Sequence, residues 1–310
     1  MIQQGRGEMQ LSDNARGALY MNVAMAAFTL NDTAMKAAMQ TVPLFQAIGL
    51  RGLMATLALA FIGWRMGGLS LKLPKRDLKF LALRCVAEVL ATLLFLAALI
   101  HMPIANLSAI MQALPLAVTL AAALFLRQAI GWRRLTAILI GFVGVLIIIR
   151  PGPQGFDVWS LMGLGSVVCV VVRDLTTRQM SASLPSVTVA LGAAVTVLAL
   201  GLGGTAVQGW QPVAVQDLAL IIAASAALIV GYMTAVMTMR VGEIGFVAPF
   251  RYMALLWAIG LGWLAFGDFP DGWTLTGAAV VVATGVFTLL RERRLARSPV
   301  SAIAVSEPLH

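Results

Sequence analysis

The sequence predicts an all-α integral membrane protein with ten transmembrane helices, arranged as two inverted five-helix repeats. Three observations support this fold class: the composition, a series of ten apolar windows, and a similarity between the two halves of the chain. The chain is 60% hydrophobic and only 11% charged, whereas an ordinary soluble domain is about 25% charged. Because each membrane crossing uses about 20 residues, a chain of 310 residues with this many spans has no room for a soluble domain.

The ten apolar windows are separated by short turns that contain Pro, Gly or charged residues. Windows of this length and hydropathy predict membrane-spanning helices. In chain order, the predicted spans are 17–37, 44–64, 78–100, 104–126, 133–150, 158–178, 186–207, 216–239, 244–267 and 273–290.

The two ends and the loops of the chain predict its orientation. Residues 1–16, "MIQQGRGEMQLSDNAR", lack the basic start, short apolar stretch and cleavage site of a signal peptide, so we expect an uncleaved first span. Lys and Arg concentrate in alternate loops, and such loops face the cytoplasm. We therefore expect a multi-pass protein of a bacterial-type inner membrane with both termini cytoplasmic and a flexible tail over 292–310. The net charge of +9 follows from this topology, and no nucleic acid partner is expected.

An internal repeat divides the chain into two halves. The segment "GWRRLTAILIGFVGVLIIIR" (131–150) aligns without a gap with "GWTLTGAAVVVATGVFTLLR" (272–291). The first repeat is predicted over 17–150 and the second over 158–291, with five spans each. Because five is an odd number, the second repeat must cross the membrane upside down relative to the first, as in many secondary transporters.

The first span of each repeat carries an acid four residues before a base. "NDTAMK" aligns with "RDLTTR", so that Asp32 and Lys36 correspond to Asp174 and Arg178. This spacing places both side chains on one helix face, where they can neutralise each other. Inversion places the first pair near the outer end of its span and the second near the inner end. Our hypothesis is that each pair belongs to a gate; the alternative is that Lys36 and Arg178 only extend to the membrane interface.

Two longer segments resemble a known family: "IANLSAIMQALPLAVTLAAALFLRQAIGWRRLTAILIGFVGVLIIIRPG" and "GFVAPFRYMALLWAIGLGWLAFGDFPDGWTLTGAAVVVATGVFTLLRER". Over residues 15–295 the sequence resembles the EamA branch of the drug/metabolite transporter superfamily. The resemblance implies a ten-helix inner-membrane carrier whose substrate lies between the two halves. Known members carry amino acids, riboflavin, S-adenosylmethionine, purine-like compounds or drugs, some inward and some outward.

The run "APFRYMALLWAIGLGWLAFGDFPDGW" is most similar to members proposed as cofactor-type metabolite carriers, including S-adenosylmethionine and riboflavin uptake proteins. Two positions depart from the family pattern. Gln128 stands at the end of the fourth span, where the family commonly has Glu, and the shorter Asp268 stands at the ninth. A role for those acids in the family therefore does not transfer intact to this chain.

Charged residues deep in the predicted spans are the first candidates for substrate binding or coupling. A charge there costs about 2.5–3.5 kcal/mol on insertion scales, so it should face a partner or a wet cavity. Glu88 lies near the middle of the third span, and we expect it to take up a proton or to bind a cationic part of the substrate. Arg251 can offer donors to a carboxylate, phosphate or carbonyl group. Alternatively, Glu88 and Arg84, which are one turn apart, only pair with each other.

Four polar or aromatic side chains of the fourth and ninth spans are expected to line the same cavity: Asn106, Gln112, Tyr252 and Trp257. Pro115 and Pro249 interrupt these two spans. Proline removes a helix hydrogen bond and loosens the helix, which suits a substrate cavity in a carrier.

The leading interpretation is a secondary carrier that moves a small polar organic metabolite by alternating access, with S-adenosylmethionine and riboflavin as candidates. An exporter of amino acids or drugs is the nearest alternative, and an integral-membrane enzyme or a non-transporting assembly protein are alternatives of other classes. The sequence shows no HExxH motif, no nucleophile with a neighbouring base and no nucleotide-binding motif. We therefore expect no catalysis, no cofactor and no direct use of ATP. Cys85 and Cys169 are interpreted as small buried side chains rather than metal ligands.

Overall fold

A computed structural model describes residues 13–65, 73–127, 131–150, 157–181, 183–241 and 244–296. The described part of the chain is helical and contains no strand. The helices, in chain order, are α1 (Asp13–Ala38), α2 (Leu44–Arg65), α3 (Lys75–His101), α4 (Ile104–Met111), α5 (Leu114–Leu126), α6 (Trp132–Ile149), α7 (Val158–Gln179), α8 (Ser186–Gln208), α9 (Val215–Val241), α10 (Ile244–Val247), α11 (Met253–Phe266) and α12 (Gly272–Ala296), with a 3₁₀ turn (Ala248–Tyr252) before α11. We call the end of the bundle with the α1–α2 turn the outer end, and the opposite end the inner end.

The fourth and ninth predicted spans are broken, as their prolines predicted. Helices α4 and α5 form the fourth span, and Pro115 lies in the first turn of α5. Helix α10, the 3₁₀ turn and α11 form the ninth span, with Pro249 inside the 3₁₀ turn. The other predicted spans match single helices within a few residues. Helix α12 continues to Ala296, five residues into the predicted tail.

Nine helical segments of the described residues are long and apolar enough to cross a membrane, and α1 is not one of them. Its lower hydropathy comes from polar residues that face the protein interior. Thr29, Asn31, Thr33 and Lys36 are all buried, and α1 packs mainly against α9 and α11. A helix enclosed by other helices does not need an apolar surface all round, so we retain α1 as the first span.

The contacts between helices repeat when the two halves of the chain are exchanged. Helix α1 packs on α9, and its counterpart α7 packs on α3; likewise α1 packs on α11 and α7 on α4. The pairs α2 with α8 and α6 with α12 are each formed by corresponding spans. The main hydrophobic core lies between the halves, since it draws on Leu99 and Ile110 of one and Val167 and Ile221 of the other.

Glycines allow the closest approach between α2 and α8. A Cβ atom at Gly201 of α8 would overlap the backbone nitrogen and Cα atom of Gly49 in α2. Two residues along, Gly203 has no heavy atom within 4 Å of the position that a Cβ would occupy. The stretch "GLGG" therefore contains one glycine required for helix packing and one that is not, although both belong to the same helix.

Replacing Gly201 by Ala is expected to lower the free energy of unfolding by about 1–3 kcal/mol, because the new methyl group must displace the backbone of α2. The matched control Gly203→Ala should be neutral or slightly stabilising, since alanine favours a helix interior over glycine by up to about 1 kcal/mol. Thermal unfolding of the detergent-solubilised proteins measures both effects. Equal melting temperatures for the two variants would contradict the close approach.

Candidate functional site

A network of charged side chains crosses the middle of the bundle. Glu88 lies halfway along α3, and its two carboxylate oxygens face two arginines. Oε2 is 3.6 Å from Nη2 of Arg84, and Oε1 is 3.4 Å from Nη1 of Arg173 in α7. Arg173 also lies 3.0 Å from the carboxylate of Asp174. Glu88, which belongs to the first half of the chain, thus faces one arginine from each half.

The same network extends toward the outer end. The guanidinium group of Arg51, in α2, interacts electrostatically with both Glu88 and Asp32. Asp32 also accepts a hydrogen bond of 2.8 Å from the amide of Asn31. The charges alternate in sign from Asp32 through Arg51, Glu88 and Arg173 to Asp174, so that each of these partly buried charges has an opposite neighbour. We call these residues, together with Arg84, the central charge network.

The guanidinium group of Arg84 has one nitrogen without a hydrogen-bond partner in the described residues. Its Nε donates to the hydroxyl of Thr177 over 3.1 Å, and its Nη2 faces Glu88. Its Nη1 is buried and has no hydrogen-bond partner within the described part of the chain. A buried donor without a partner is costly, which makes this nitrogen a candidate contact for a bound molecule.

A cavity of about 440 Å³ adjoins the central charge network. It lies between α1, α9 and the 3₁₀ turn, and its lining includes Met21, Met25, Phe28, Tyr232, Arg240 and Arg251. The rings of Phe28 and Tyr232 meet edge to face, with centroids 5.4 Å apart. Tyr232 also lies near Glu88 and near Arg51, Arg84 and Arg173, although 51% of its surface is exposed. Tyr232 therefore lies between the cavity and the network.

Lys36 lies at the outer end and does not pair with Asp32, which corrects our prediction. Its ammonium group is buried and donates to the backbone carbonyl of Met102 over 2.7 Å. It also lies 3.8 Å from Asp268, beyond the end of α11. Lys36 thus connects α1 to both the α3–α4 turn and the second half. The physical reason is that the helix carries Lys36 one turn further outward than Asp32, to where these carbonyl and carboxylate groups lie.

The corresponding pair in α7 is separated in the same way. Asp174 pairs with its neighbour Arg173 rather than with Arg178, whereas the side chain of Arg178 is exposed at the inner end of the helix. In both repeats the acid belongs to the central charge network and the base lies nearer an end of the bundle. The predicted pairing within each helix is therefore wrong, although both acids reach the interior.

The remaining predicted site residues lie in three places. Arg251 lines the cavity. Tyr252 does not, because its hydroxyl group packs against Gly285 of α12 and only 6% of its surface is exposed. Trp257 donates a hydrogen bond of 2.9 Å from its indole to Asn22 of α1. Gln112, directly after α4, is buried, and Asn106 on α4 has a buried side-chain oxygen without a partner in the described residues. Neither is among the residues that line the cavity.

Comparison with known proteins identifies the family. The model of the EamA-like transporter family matches residues 15–150. A riboflavin transporter from Vibrio cholerae is 30% identical over 224 residues, which cover 69% of this chain and 72% of the relative. The chain belongs to the EamA-like transporter family.

Other relatives of this EamA-like chain are also transporters. A pseudopaline exporter from Pseudomonas aeruginosa is 25% identical over 273 residues, covering 86% of this chain and 93% of the relative. An S-adenosylmethionine uptake transporter from Rickettsia conorii is 23% identical over 194 residues, covering 62% and 65%. A crystal structure of another protein superposes with a TM-score of 0.59 and 20% identity, over 91% of this chain and 98% of the other chain. The two proteins therefore share a fold. The EamA-like protein is a multi-pass membrane transporter rather than an enzyme.

The structure describes one of the two positions at which this EamA-like chain departs from the family pattern. Asp268 lies beside the ammonium group of Lys36 at the outer end, so it contributes to a contact between the halves. Gln128 lies outside the described residues.

A second ion pair joins the halves of the EamA-like protein at its outer end. Arg150 of the first half donates to Asp271, just before α12. This hydrogen bond, with one from the backbone N–H group of Thr274, lowers the pKa of Asp271 from its ordinary value of 3.8 to about 2. Because the folded-state pKa is the lower one, the stabilisation is present above about pH 4 and is lost as the pH falls toward 2. The pair is largely exposed, so solvent screening keeps its contribution small.

Sequence reasoning missed several residues of the EamA-like site. Tyr232, Phe28 and Arg240 line the cavity, and none was a candidate. Tyrosine in membrane helices usually lies near the interfaces, whereas Tyr232 is well inside α9. That unusual position was the available signal. Phe28 had none, because a phenylalanine in an apolar helix is ordinary whether it faces lipid, core or cavity.

Proposed function

We propose that the protein is a secondary transporter that carries a small polar organic metabolite by alternating access. One observation supports this most directly: a network of three acids and three arginines drawn from both halves lies beside a cavity. Buried charges are expensive, and a purely structural bundle can achieve the same packing with apolar residues. In a carrier, the same charges can bind a polar substrate and can exchange partners when the halves move.

Contacts between the halves at the two ends are suited to serve as gates. At the outer end, Lys36 faces Asp268, and the amide of Gln46 exchanges two hydrogen bonds with the backbone of Gln211, of 2.8 and 3.1 Å. At the inner end, the buried Asp77 accepts bonds of 3.1 Å from the backbone and hydroxyl of Ser181. Alternating access requires that the contacts at one end open while those at the other stay closed.

The proposal includes the topology that the sequence predicts. The repeats over 17–150 and 158–291 form the two moving halves, and both termini are cytoplasmic. The outer end then faces away from the cytoplasm, in the orientation that the basic loops favour. The first twelve residues and 297–310 lie outside the described residues.

Glu88 is the proposed coupling residue. Two arginines hold its carboxylate, so protonation of Glu88 would release both of them to bind other groups. A cationic part of a substrate could instead compete with the arginines for the carboxylate. Proton coupling and substrate binding at Glu88 are therefore two forms of the same proposal. The uptake rate distinguishes them, because it should fall on collapse of a proton gradient only if protons are coupled.

The candidate substrates are riboflavin and S-adenosylmethionine, as the names of relatives suggest. Export remains an alternative because another relative is named as an exporter. Purified protein reconstituted into liposomes preloaded with each unlabelled compound should take up the labelled form by exchange. We expect saturable uptake of one candidate, with protein-free liposomes as the control. Failure to exchange riboflavin, S-adenosylmethionine, amino acids, purines and cationic drugs alike would contradict the proposed function.

A further inference from the structure

We infer that the cavity between α1 and α9 binds a planar aromatic ring linked to an anionic group, a carboxylate or a phosphate. The inference rests on the proposed function and narrows its substrate class. It comes from the distribution of side chains around the cavity, which is apolar and aromatic at one end and basic at the other.

The end of the cavity at Phe28 and Tyr232 suits a flat ring. Phe28 and Tyr232 provide two aromatic faces or edges, and Met25 lies one turn before Phe28 on α1. Offset or edge-to-face contacts between rings contribute about 0.5–1.5 kcal/mol beyond the burial of area. Methionine sulfur adds favourable contacts with ring edges and adapts to irregular shapes.

The other end of the cavity is basic. Arg240 and Arg251 line it from α9 and from the 3₁₀ turn, and no acid is among its described lining residues. Guanidinium groups form paired hydrogen bonds with carboxylates and phosphates. A cationic ligand would meet two positive charges there, so the cavity disfavours it.

The spacing sets the length of the ligand. Tyr232 and Arg240 lie eight residues apart on one face of α9, which corresponds to about 12 Å along the helix. A volume of about 440 Å³ falls within the range of small-molecule sites, about 300–1,000 Å³. The ligand therefore has a ring at one end and, a short chain away, an anionic group at the other.

Riboflavin 5′-phosphate and riboflavin are matched probes, because they share the ring and the chain and differ in the phosphate. With purified protein in neutral nanodiscs, we expect the phosphate compound to bind at least tenfold more tightly. Arg240→Gln and Arg251→Gln should each reduce this ratio, and the double variant should bring it close to one. Lys79→Gln, an exposed residue that does not line the cavity, removes the same charge and should leave the ratio unchanged.

The ring end is tested separately with Phe28→Leu, which should weaken both probes by a similar factor. If Phe28→Leu leaves the affinity for the phosphate compound unchanged, the arginines hold only a phosphate, as from a lipid headgroup, and the inference is wrong. Competition by anionic lipid in the nanodiscs, without dependence on Phe28, would lead to the same conclusion. Equal affinities of the two probes, or preferential binding of S-adenosylmethionine, would also overturn it.

The result of this binding experiment can be distinguished from the result of the transport experiment. Exchange in liposomes shows whether the protein is a carrier, whatever its substrate. A protein that exchanges a metabolite but binds the two flavins equally refutes the inference and leaves the carrier in place. A protein that prefers the phosphate compound but exchanges neither that compound nor any tested metabolite supports the inference and contradicts the carrier.

Discussion

Replacing Glu88 by Gln is expected to slow transport by roughly 10- to 150-fold, since hydrogen bonds to a charged group contribute about 1.5–3 kcal/mol each. The substitution preserves size and removes the charge that faces Arg84 and Arg173. Two partly buried guanidinium groups then lose their main counter-charge, so stability should also fall. We expect a loss on the order of 2 kcal/mol, between the values of exposed and buried ion pairs. Exchange rates in liposomes and thermal unfolding measure the two effects.

A double variant separates the structural contribution of Glu88 from its functional one. In Glu88→Gln with Arg84→Gln, the guanidinium group that lost its carboxylate partner is also removed, whereas Arg173 keeps Asp174 as its partner. Stability should recover toward that of the wild type, whereas transport should remain slow. If transport recovers together with stability, Glu88 only balances charge, and its proposed role in coupling is wrong.

Replacing Lys36 by Gln is expected to open the outer end of the protein. The ammonium group of Lys36 holds Met102 and Asp268 together, and its loss removes about 1.5–3 kcal/mol from the closed form, enough to shift the equilibrium about tenfold or more. A cysteine at Met39, buried beside this contact, reports the change. With Cys85 and Cys169 replaced by Ala, an impermeant maleimide should react about tenfold faster with Cys at position 39 in the Lys36→Gln variant.

Two controls accompany the labelling experiment. Lys79→Gln removes the same charge from an exposed position and should not change the reactivity. Labelling in right-side-out and inverted vesicles identifies the side of the membrane from which position 39 reacts, and therefore the orientation of the outer end. An unchanged rate in the Lys36→Gln variant would show that Lys36 does not gate the outer end.

The helices were predictable because they depend on local composition. Hydropathy and turn residues determine where each span begins and ends, and the prolines indicated the two broken spans. The presence of Glu88 and Arg84 in one contact was also predictable, since residues four apart on a helix lie on one face. These inferences need only the geometry of a single helix.

The partners that Lys36 and Arg173 find in other helices and turns were not predictable in the same way. The position of a residue on a helix gives its direction but not the group that it meets, and Asp268 lies far from Lys36 along the chain. The placement of Tyr252 and Arg251 shows a similar limit. These neighbours point in different directions, as consecutive residues do in a 3₁₀ turn and in an α-helix alike, and only the packed structure determines which of the two lines the cavity.

The polar character of α1 has a consequence for assembly in the cell. A charge such as that of Asp32 or Lys36 costs about 2.5–3.5 kcal/mol at the centre of a lone helix in lipid, and the opposite charges that these two residues face, Arg51 and Asp268, lie outside α1. Helix α9, on which α1 packs most extensively, is synthesised seven spans later. Helix α1 therefore reaches the environment in which Lys36 faces Asp268 and α9 covers its surface only after most of the other described spans have been made.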